Sequence, residues 1–185
     1  MRNLESIRLI VLDVDGTMTD GGIYIDNNGI EQKKFNIKDG AGIILAQSIG
    51  IEFMILTGRK SVCVEQRAKE LNIKYVCQGI HYKVDYLKDF ARNKALLAEN
   101  IAYIGDDLND LPAMHFVGVS ACPLDAVDEV KTFCDYVLPV NGGEGVVRAF
   151  VNLLLKSINR FEEAQTNLFP RSEERRVGKE CRSRW

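Results

Sequence analysis

Residues 10–21, Ile-Val-Leu-Asp-Val-Asp-Gly-Thr-Met-Thr-Asp-Gly, decide the fold, because an apolar run ends there in two aspartates and a glycine. Arg8 and Asp13 interrupt the apolar stretch, so it is predicted as a buried β-strand over residues 7–12. Side chains alternate along an extended strand, which places Asp13 and Asp15 on the same side at its carboxyl end. Ligands bind at that edge in open α/β sheets.

Outward from this stretch, apolar runs of strand length alternate with segments of helical periodicity. This alternation is typical of a parallel sheet covered by helices. Further strands are predicted at residues 51–56, 74–77, 101–104, 116–119 and 136–138, and helices at 41–48, 61–71, 83–97, 111–115 and 145–158. The predicted fold class is therefore α/β, with a Rossmann-like parallel sheet and helices on both faces.

The segment after the first strand departs from this alternation. Residues 22–37 are predicted to form a β-hairpin that turns at Asn28-Gly29. An isolated hairpin is only marginally stable in water. Its apolar side chains are therefore expected to be exposed and to pack on a neighbouring subunit; they are Ile23, Tyr24, Ile25 and Phe35.

Bulk properties exclude several classes of protein. A length of 185 residues suits one domain, and the net charge of −2 offers no basic field for nucleic acid or an anionic membrane. The chain has no apolar run long enough for a transmembrane helix and no signal-peptide pattern, so the cytoplasm is the expected compartment. The five cysteines are odd in number and lack a CxxC pair, which argues against a disulfide framework or a zinc site.

The end of the chain has a different composition. Apolar periodicity stops near Thr166, and the last fifteen residues, RSEERRVGKECRSRW, are rich in arginine. An anion-binding arm is one interpretation, but terminal runs of charge are usually solvated. The predicted organisation is a folded domain over residues 1–160 and a disordered or non-native tail over residues 161–185.

Polar residues follow three other predicted strands at the same sheet edge. Thr57-Gly58-Arg59 follows the second strand and offers a hydroxyl and a backbone N–H to a phosphate oxygen. Lys83 opens the helix after the third strand, and residues 105–110, Gly-Asp-Asp-Leu-Asn-Asp, follow the fourth. Three carboxylates there exceed the one acceptor that a helix cap needs, and neighbouring carboxylates repel unless a cation offsets them. Their oxygen ligands predict a Mg²⁺ site.

In this order, the motifs VLDVDGTMTDG, ILTGR, Lys83 and YIGDDLND resemble those of the haloacid dehalogenase superfamily of phosphatases. Within it, DGTMTDGGIYID, KDGAGI, LTGRKS, QGIHYK and GDDLNDLPAM resemble the 3-deoxy-D-manno-octulosonate 8-phosphate (KDO 8-phosphate) phosphatase family. The resemblance covers residues 6–155. It implies a cytoplasmic, tetrameric hydrolase of lipopolysaccharide biosynthesis without a large cap domain, since the interval between Asp15 and Thr57 has room only for the hairpin and one helix.

The resemblance also implies roles for individual residues. Asp13 would be the nucleophile that forms an aspartyl-phosphate, and Asp15 the general acid and base. The Asp13 and Asp106 carboxylates and the Asp15 backbone carbonyl would bind Mg²⁺. Two more carboxylates, Asp107 and Asp110, would orient the metal shell. The phosphoryl oxygens would be held by Thr57, Gly58 and Lys83.

The substrate is the least determined part of this interpretation. In the family the glycine loop often reads Gly-Gly-Arg-Gly, but here Glu144 stands at the arginine position and Ala149 follows Arg148. Arg59 and Arg148 are candidates to bind a substrate carboxylate, with surface salt bridges as the alternative. The 9-phosphate of a nonulosonic (sialic-type) acid is an alternative substrate.

Two non-enzymatic interpretations stay open beside these. A signalling receiver domain also uses aspartate, threonine, lysine and Mg²⁺, but it needs no second aspartate in the position of Asp15. A non-catalytic subunit that binds phosphorylated sugars is disfavoured by the complete set of motif residues. Of the two histidines, His115 is expected to be structural, and His81 lies near Lys83 without a catalytic partner.

Overall fold

The computed structural model describes residues 3–170, which contain eight strands. In chain order they are β1 (Leu9–Leu12), β2 (Tyr24–Ile25), β3 (Glu31–Gln32), β4 (Glu52–Thr57), β5 (Tyr75–Gln78), β6 (Ile101–Ile104), β7 (Val119–Cys122) and β8 (Tyr136–Val137). Six of them form one parallel sheet in the order β5-β4-β1-β6-β7-β8, whereas β2 and β3 form a separate antiparallel hairpin.

Seven α-helices connect and cover these strands. They are α1 (Ile37–Gln47), α2 (Val62–Glu70), α3 (Lys83–Asn93), α4 (Leu111–Phe116), α5 (Asp128–Phe133), α6 (Val146–Ser157) and α7 (Phe161–Leu168). Alternate residues of β1 enter two separate apolar clusters. Ile10 packs with residues of α1, α2, α6 and α7 on one face, and Val11 packs with α3, α4 and α5 on the other. The predicted fold class, with helices on both faces of a parallel sheet, is confirmed.

The central position of β1 creates the functional edge of the sheet. Leu12 is paired with Ile55 of β4 and with Ile104 of β6. The polar segments that follow these three strands therefore begin at nearly the same level. Since all three strands are parallel, their carboxyl ends meet at one edge of the sheet.

The predicted β-hairpin is confirmed, and Asp26 stabilises its turn. The Oδ1 atom of Asp26 accepts hydrogen bonds from the N–H groups of Asn28 (2.9 Å) and Ile30 (2.8 Å), and Gly29 has a φ of 77°. Ile25 remains 64% exposed, as expected. The prediction that Phe35 is also exposed is wrong, because this residue forms a β-bridge with Thr19 and packs on the core. No large cap domain is inserted within residues 3–170.

Several predicted boundaries differ from the structure. Helix α1 begins at Ile37 rather than at residue 41, because Asn36 caps it by accepting a hydrogen bond from the Lys38 N–H at 2.8 Å. The strand predicted at residues 116–119 is displaced to β7, since α4 continues through Phe116. The pattern also missed α5 and α7.

The folded chain extends beyond the boundary predicted at residue 160. Helix α7 buries Ala164 completely, and the Asn167 side chain donates to the Ser48 carbonyl at 2.9 Å. The prediction ended the folded domain too early, because the eight residues of α7 are too few to show a clear helical period. Residues 171–185 lie outside the described part of the chain, so the predicted tail stays a prediction there. Among residues 3–170, no helix combines the length and hydrophobicity needed to cross a membrane.

Candidate active site

The loop after β1 places Asp13 at the sheet edge and then turns sharply. The Asp13 N–H donates to the Ile104 carbonyl at 2.9 Å, which continues the pairing of β1 with β6. The turn needs glycine at residue 16, where φ is 84° and a Cβ atom would lie 2.0 Å from Oδ2 of Asp106. Gly16 therefore lets the loop after β1 approach the loop after β6 closely.

Three aspartates form an acidic cluster between these loops. One carboxylate oxygen from each of Asp13, Asp106 and Asp110 lies within 4.8 Å of the others, and Asp106 also accepts a hydrogen bond from Thr17 Oγ1 at 2.9 Å. Burial and the nearby Asp110 charge raise the pKa of Asp13 to about 7. Burial and the charges of Asp13 and Asp110 raise the pKa of Asp106 to about 8. A bound cation would offset this repulsion, so the donor set fits a hard divalent metal.

Lys83 is the cation that the structure places beside this cluster. Its buried Nζ atom lies 2.7 Å from Asp13 Oδ1 and 2.6 Å from Asp110 Oδ1. Burial lowers the pKa of Lys83, but the charges of Asp13 and Asp110 outweigh it, so the pKa is raised overall. The ammonium therefore stays charged at neutral pH.

The position of Lys83 follows from how two neighbouring loops are joined. The Ile80 N–H donates to the Thr57 carbonyl at 3.0 Å, and the Gly79 N–H donates to the Arg59 carbonyl at 3.2 Å. These bonds tie the loop after β5 to the turn after β4. Helix α3 begins with Lys83, whose Nζ atom reaches Asp13 at the carboxyl end of β1.

Asp110 is fully buried and is surrounded by hydrogen-bond donors. Its Oδ1 atom accepts from Lys83 and from the Tyr103 hydroxyl at 2.7 Å, while Oδ2 accepts from the N–H groups of Asp106 (3.1 Å) and Asp107 (3.3 Å). Sequence reasoning missed Tyr103. A tyrosine in a buried strand usually needs a partner for its hydroxyl, and that signal was available.

The turn after β4 presents the other predicted phosphate-binding groups. Thr57 is buried at the end of the strand. A Cβ atom added at Gly58 would be in ordinary van der Waals contact with His81 Nδ1 and the Ile80 carbonyl oxygen, both at 3.9 Å. Arg59 forms an ion pair with Glu31 of the hairpin.

Asp15 lies on the more open side of the loop, with 27% of its side chain exposed. Its Oδ1 atom accepts a hydrogen bond from Lys33, which follows β3. The Lys33 Nζ atom also lies 3.6 Å from Glu31 Oε1. Sequence reasoning missed both hairpin residues, because lysine and glutamate on a two-residue strand look like ordinary solvated charges.

The side chains of several other candidate residues make their contacts outside the acidic cluster. Arg148 Nε donates to Asn152 one helical turn further along α6, at 2.9 Å. Asp107 is exposed, and its Oδ1 atom accepts the Leu108 N–H within its own turn. His115 is exposed and contacts Phe133 in a tilted arrangement, with ring centroids 3.8 Å apart and an interplanar angle of 42°.

The glycine loop that precedes α6 packs against the loop after β1. The Gly143 N–H donates to the Thr17 carbonyl at 3.0 Å, and a Cβ atom at Gly142 would lie 1.8 Å from the Gly16 carbonyl oxygen. Only glycine permits this approach. Glu144 is exposed in the same loop.

Together these residues form a site suited to nucleophilic chemistry on an anion. A buried carboxylate is held by a lysine, a second and more accessible carboxylate lies two residues away, and an acidic cluster can bind a metal. A hydroxyl and a backbone N–H at the neighbouring strand end can receive oxygens of the substrate.

Comparisons with known proteins give a consistent result. Residues 76–150 match a family model described as haloacid dehalogenase-like hydrolase. The 3-deoxy-D-manno-octulosonate 8-phosphate phosphatase KdsC of Escherichia coli strain B is 44% identical over 165 residues, covering 89% of this chain and 88% of that protein. The crystal structure of the corresponding phosphatase from Moraxella catarrhalis, in complex with magnesium ion, phosphate ion and KDO, matches with a TM-score of 0.86 and 34% identity, covering 89% of this chain and 95% of that one.

Proposed function

This chain belongs to the 3-deoxy-D-manno-octulosonate 8-phosphate phosphatase family of haloacid dehalogenase-like hydrolases, and from that membership we propose the reaction that it catalyses. The chain is a phosphomonoesterase that hydrolyses 3-deoxy-D-manno-octulosonate 8-phosphate to the free sugar acid and phosphate. The observation that carries this proposal is the buried Asp13 carboxylate, held by Lys83 at 2.7 Å, with the more accessible Asp15 beside it.

Mg²⁺ is the metal of this site, and its proposed ligands are the Asp13 and Asp106 carboxylates and the Asp15 backbone carbonyl. The close approach of the acidic side chains and the raised pKa values of Asp13 and Asp106 support this choice. Asp110 is assigned an orienting role, because both of its oxygens already accept hydrogen bonds. When bound, Mg²⁺ would neutralise negative charge on the phosphoryl oxygens.

In the first half of the reaction, an Asp13 carboxylate oxygen attacks phosphorus in line with the ester oxygen. A new P–O bond forms to Asp13 and the bond to the sugar oxygen breaks, which leaves an aspartyl-phosphate. Asp15 gives its proton to the departing alkoxide. The partial exposure of Asp15 supports this assignment, because the leaving group must reach it from solvent.

In the second half, Asp15 accepts a proton from water, and the resulting hydroxide attacks phosphorus. The bond from phosphorus to Asp13 breaks, phosphate is released and both carboxylates return to their starting states. Thr57, the Gly58 N–H and Lys83 hold the phosphoryl oxygens through both halves. The position of Thr57 at the end of β4 and the contact of Lys83 with Asp13 support these roles.

For the substrate carboxylate, Arg59 is the better supported of the two arginine candidates. Its side chain is 47% exposed beside the turn that holds Thr57 and Gly58. Each guanidinium already has a partner, Glu31 for Arg59 and Asn152 for Arg148, but Arg148 lies on α6 and does not follow that turn. We assign Arg59 to substrate binding and leave Arg148 as a lesser candidate.

The chain is further proposed to act as a cytoplasmic homotetramer in lipopolysaccharide biosynthesis. The exposed apolar side chains of the hairpin support an assembly in which a neighbouring subunit covers the site. Its partner molecule is the phosphorylated sugar acid, not nucleic acid or a membrane. The proposed phosphatase domain extends through α7.

Phosphate release from a panel of sugar phosphates, measured with and without Mg²⁺, tests the proposed function. We expect a Mg²⁺-dependent preference for the octulosonate 8-phosphate. Asp13→Asn should lower the rate by more than about 1,000-fold, because it removes the nucleophile. Asp85→Asn, on the exposed face of α3, is the matched control and should retain activity.

Other outcomes of the panel separate the alternatives. A preference for a nonulosonic acid 9-phosphate would keep the chemistry and change the substrate. The folded chain could also bind Mg²⁺ and a sugar phosphate without releasing phosphate from any ester. That result would show that it is a non-catalytic binding subunit rather than an enzyme.

A further inference from the structure

We propose that Lys33 is a positioning residue that holds the Asp15 carboxyl group by its Oδ1 atom, so that a proton on Oδ2 can be transferred to the leaving oxygen, and that Glu31 and Arg59 hold Lys33 in place. This inference rests on the proposed function and adds two hairpin residues to its machinery. The hairpin would then contribute to its own subunit's chemistry, besides any contact with a neighbouring subunit.

The first support is an alternating chain of charges that runs from the turn after β4 to the loop after β1. Arg59 is paired with Glu31 Oε1, and Lys33 lies 3.6 Å from the same oxygen. Lys33 is in turn bonded to Asp15 Oδ1. A positive, a negative, a positive and a negative side chain thus follow one another, so each charge lies next to an opposite one.

The second support is the burial of the Lys33 side chain. Only 2% of it is exposed, although it follows a two-residue strand of a small hairpin. Burial of an ammonium group is costly unless it is paired and hydrogen-bonded. Lys33 meets this requirement through Asp15 and Glu31. The hairpin therefore holds the Lys33 ammonium group in contact with the Asp15 carboxyl group.

The adjacent lysine shows that this arrangement is specific to one side of the strand. Lys34 has 61% of its side chain exposed, and its nearest carboxylate is Asp20 at 3.5 Å. Successive residues of an extended chain point to opposite sides. Lys34 is therefore a matched control, with the same chemistry and nearly the same sequence position but no contact with Asp15.

The chemical consequence follows from what Asp15 has to do. A general acid must be within hydrogen-bond reach of the leaving oxygen and correctly oriented toward it. With Lys33 on Oδ1, the carboxyl group cannot rotate freely, and Oδ2 is directed to the other side. Loss of Lys33 should therefore impair the departure of a poor leaving group, which needs the proton, more than that of a good one.

The test compares two esters in the presence of Mg²⁺. One is 3-deoxy-D-manno-octulosonate 8-phosphate, whose alkoxide needs a proton to leave; the other is p-nitrophenyl phosphate, whose phenolate does not. The measured quantity is kcat/KM, because it reports the steps up to the first irreversible one, here transfer of the phosphoryl group to Asp13. The later attack of water therefore does not enter the comparison.

Lys33→Met should lower kcat/KM for the sugar phosphate by about 100-fold, within the range of general acid catalysis, and for the aryl ester by less than about 3-fold. Lys33→Arg should recover part of the loss, since it restores a cation. Lys34→Met should leave both values within about 2-fold of the unaltered chain, because surface substitutions rarely perturb a site.

A second variant keeps the test decisive if Lys33→Met does not fold. Glu31→Gln retains Lys33 but removes the carboxylate that pairs with it. It should give the same selective loss, but only about 10-fold, because Glu31 acts on Asp15 through Lys33. Equal losses on the two esters, or no loss on either, would overturn the role of Lys33. If the unaltered chain released phosphate from neither ester, the proposed function would fail, and this inference with it.

Discussion

At the scale of single residues, the candidate site combines several buried carboxylates with few neutralising groups. Lys83 contacts both Asp13 and Asp110, and neutral donors occupy the remaining acceptor positions of Asp110. Breaking one member of a buried charged network leaves the others unpaired, which costs more than the loss of an exposed pair. Residues that never touch substrate should therefore affect both stability and rate.

Tyr103 provides the first test of this idea. Its fully buried hydroxyl donates to Asp110 at 2.7 Å, and burial together with the Asp110 charge holds its pKa well above the usual range. Tyr103→Phe should lower the free energy of unfolding by about 1.5–3 kcal/mol, the range for a hydrogen bond to a charged group. Urea denaturation measures this change.

Tyr75→Phe is the control for the loss of a tyrosine hydroxyl. The Tyr75 hydroxyl approaches the exposed Glu52 carboxylate only at 3.4 Å, so its removal should change the free energy of unfolding by less than about 0.5 kcal/mol. Equal effects of the two substitutions would show that Tyr103 contributes nothing particular to the acidic network.

Asp39 provides a second test at this scale, through the pH dependence of stability. It is buried, its Oδ1 atom accepts the Arg148 N–H at 2.8 Å, and Oδ2 has no hydrogen-bond partner. Burial raises its pKa from 3.8 to about 6, although the N–H groups of Arg148 and Val147 oppose this. The folded chain therefore holds a proton that the unfolded chain releases between these pH values.

The proton on Asp39 stabilises the folded chain relative to the unfolded one. This stabilisation is fully present below pH 3.8 and is lost as the pH rises through about 6. Asp39→Asn cannot ionise, so its stability relative to the unaltered chain should rise by up to about 3 kcal/mol between pH 4 and pH 7. Urea denaturation at several pH values measures the difference. A difference that did not vary with pH would mean that Asp39 titrates alike in both states.

At the scale of secondary structure, the sequence predicted the elements that carry the site better than those that only support it. Residues 101–104 were placed as a strand with the bounds of β6, and both turns after β1 and β4 were found. These elements are short apolar runs with polar residues at one end, a pattern that local sequence displays. The contact of Lys33 with Asp15 joins two separate elements, so no local pattern reveals it. The buried Tyr103 signals only that its hydroxyl needs a partner, and the fold shows that this partner is Asp110.

The missed helices have a physical reason in common. Helix α5 has six residues and buries Val130, and α7 has eight residues and buries Ala164. Helices this short show barely two turns of periodicity and are stabilised by tertiary packing rather than by propensity. In α7 the packing partners include Ser48 at the end of α1.

Two truncations test this account of α7. Ending the chain after Arg160 removes α7, including the half-buried Phe161 and Leu168, and should lower the free energy of unfolding by about 2–4 kcal/mol. Ending it after Pro170 keeps α7, removes only residues 171–185 and should leave stability and phosphatase activity unchanged. Thermal unfolding and phosphate release measure both effects. A loss of activity on removal of residues 171–185 would instead favour the anion-binding arm.

At the scale of the whole molecule, the hairpin has a larger apolar surface than its own subunit covers. Ile23 is 66% exposed, Ile25 64% and Ile30 59%. Clusters of exposed apolar side chains commonly mark interfaces between proteins. Within the subunit, the hairpin reaches the site through polar groups, Lys33 and Glu31, so its apolar side chains remain available to a neighbour.

Ile23→Asp combined with Ile25→Asp should therefore convert the proposed tetramer to smaller species, because buried charges would oppose association. Light scattering coupled to size-exclusion chromatography measures the mass, and phosphate release measures activity. We expect a loss of at least about 10-fold on the sugar phosphate, since the site would lose the cover that excludes water. Asn27→Asp, at the exposed turn of the same hairpin, is the control and should alter neither.

Mixing experiments distinguish a shared site from simple association. Asp13→Asn subunits lack the nucleophile but carry an intact hairpin, whereas the hairpin variant retains Asp13. If one subunit's hairpin completes another subunit's site, the mixture should recover activity that neither variant has alone. A tetramer whose activity survived disruption of the hairpin, with no gain on mixing, would show that each subunit closes its own site.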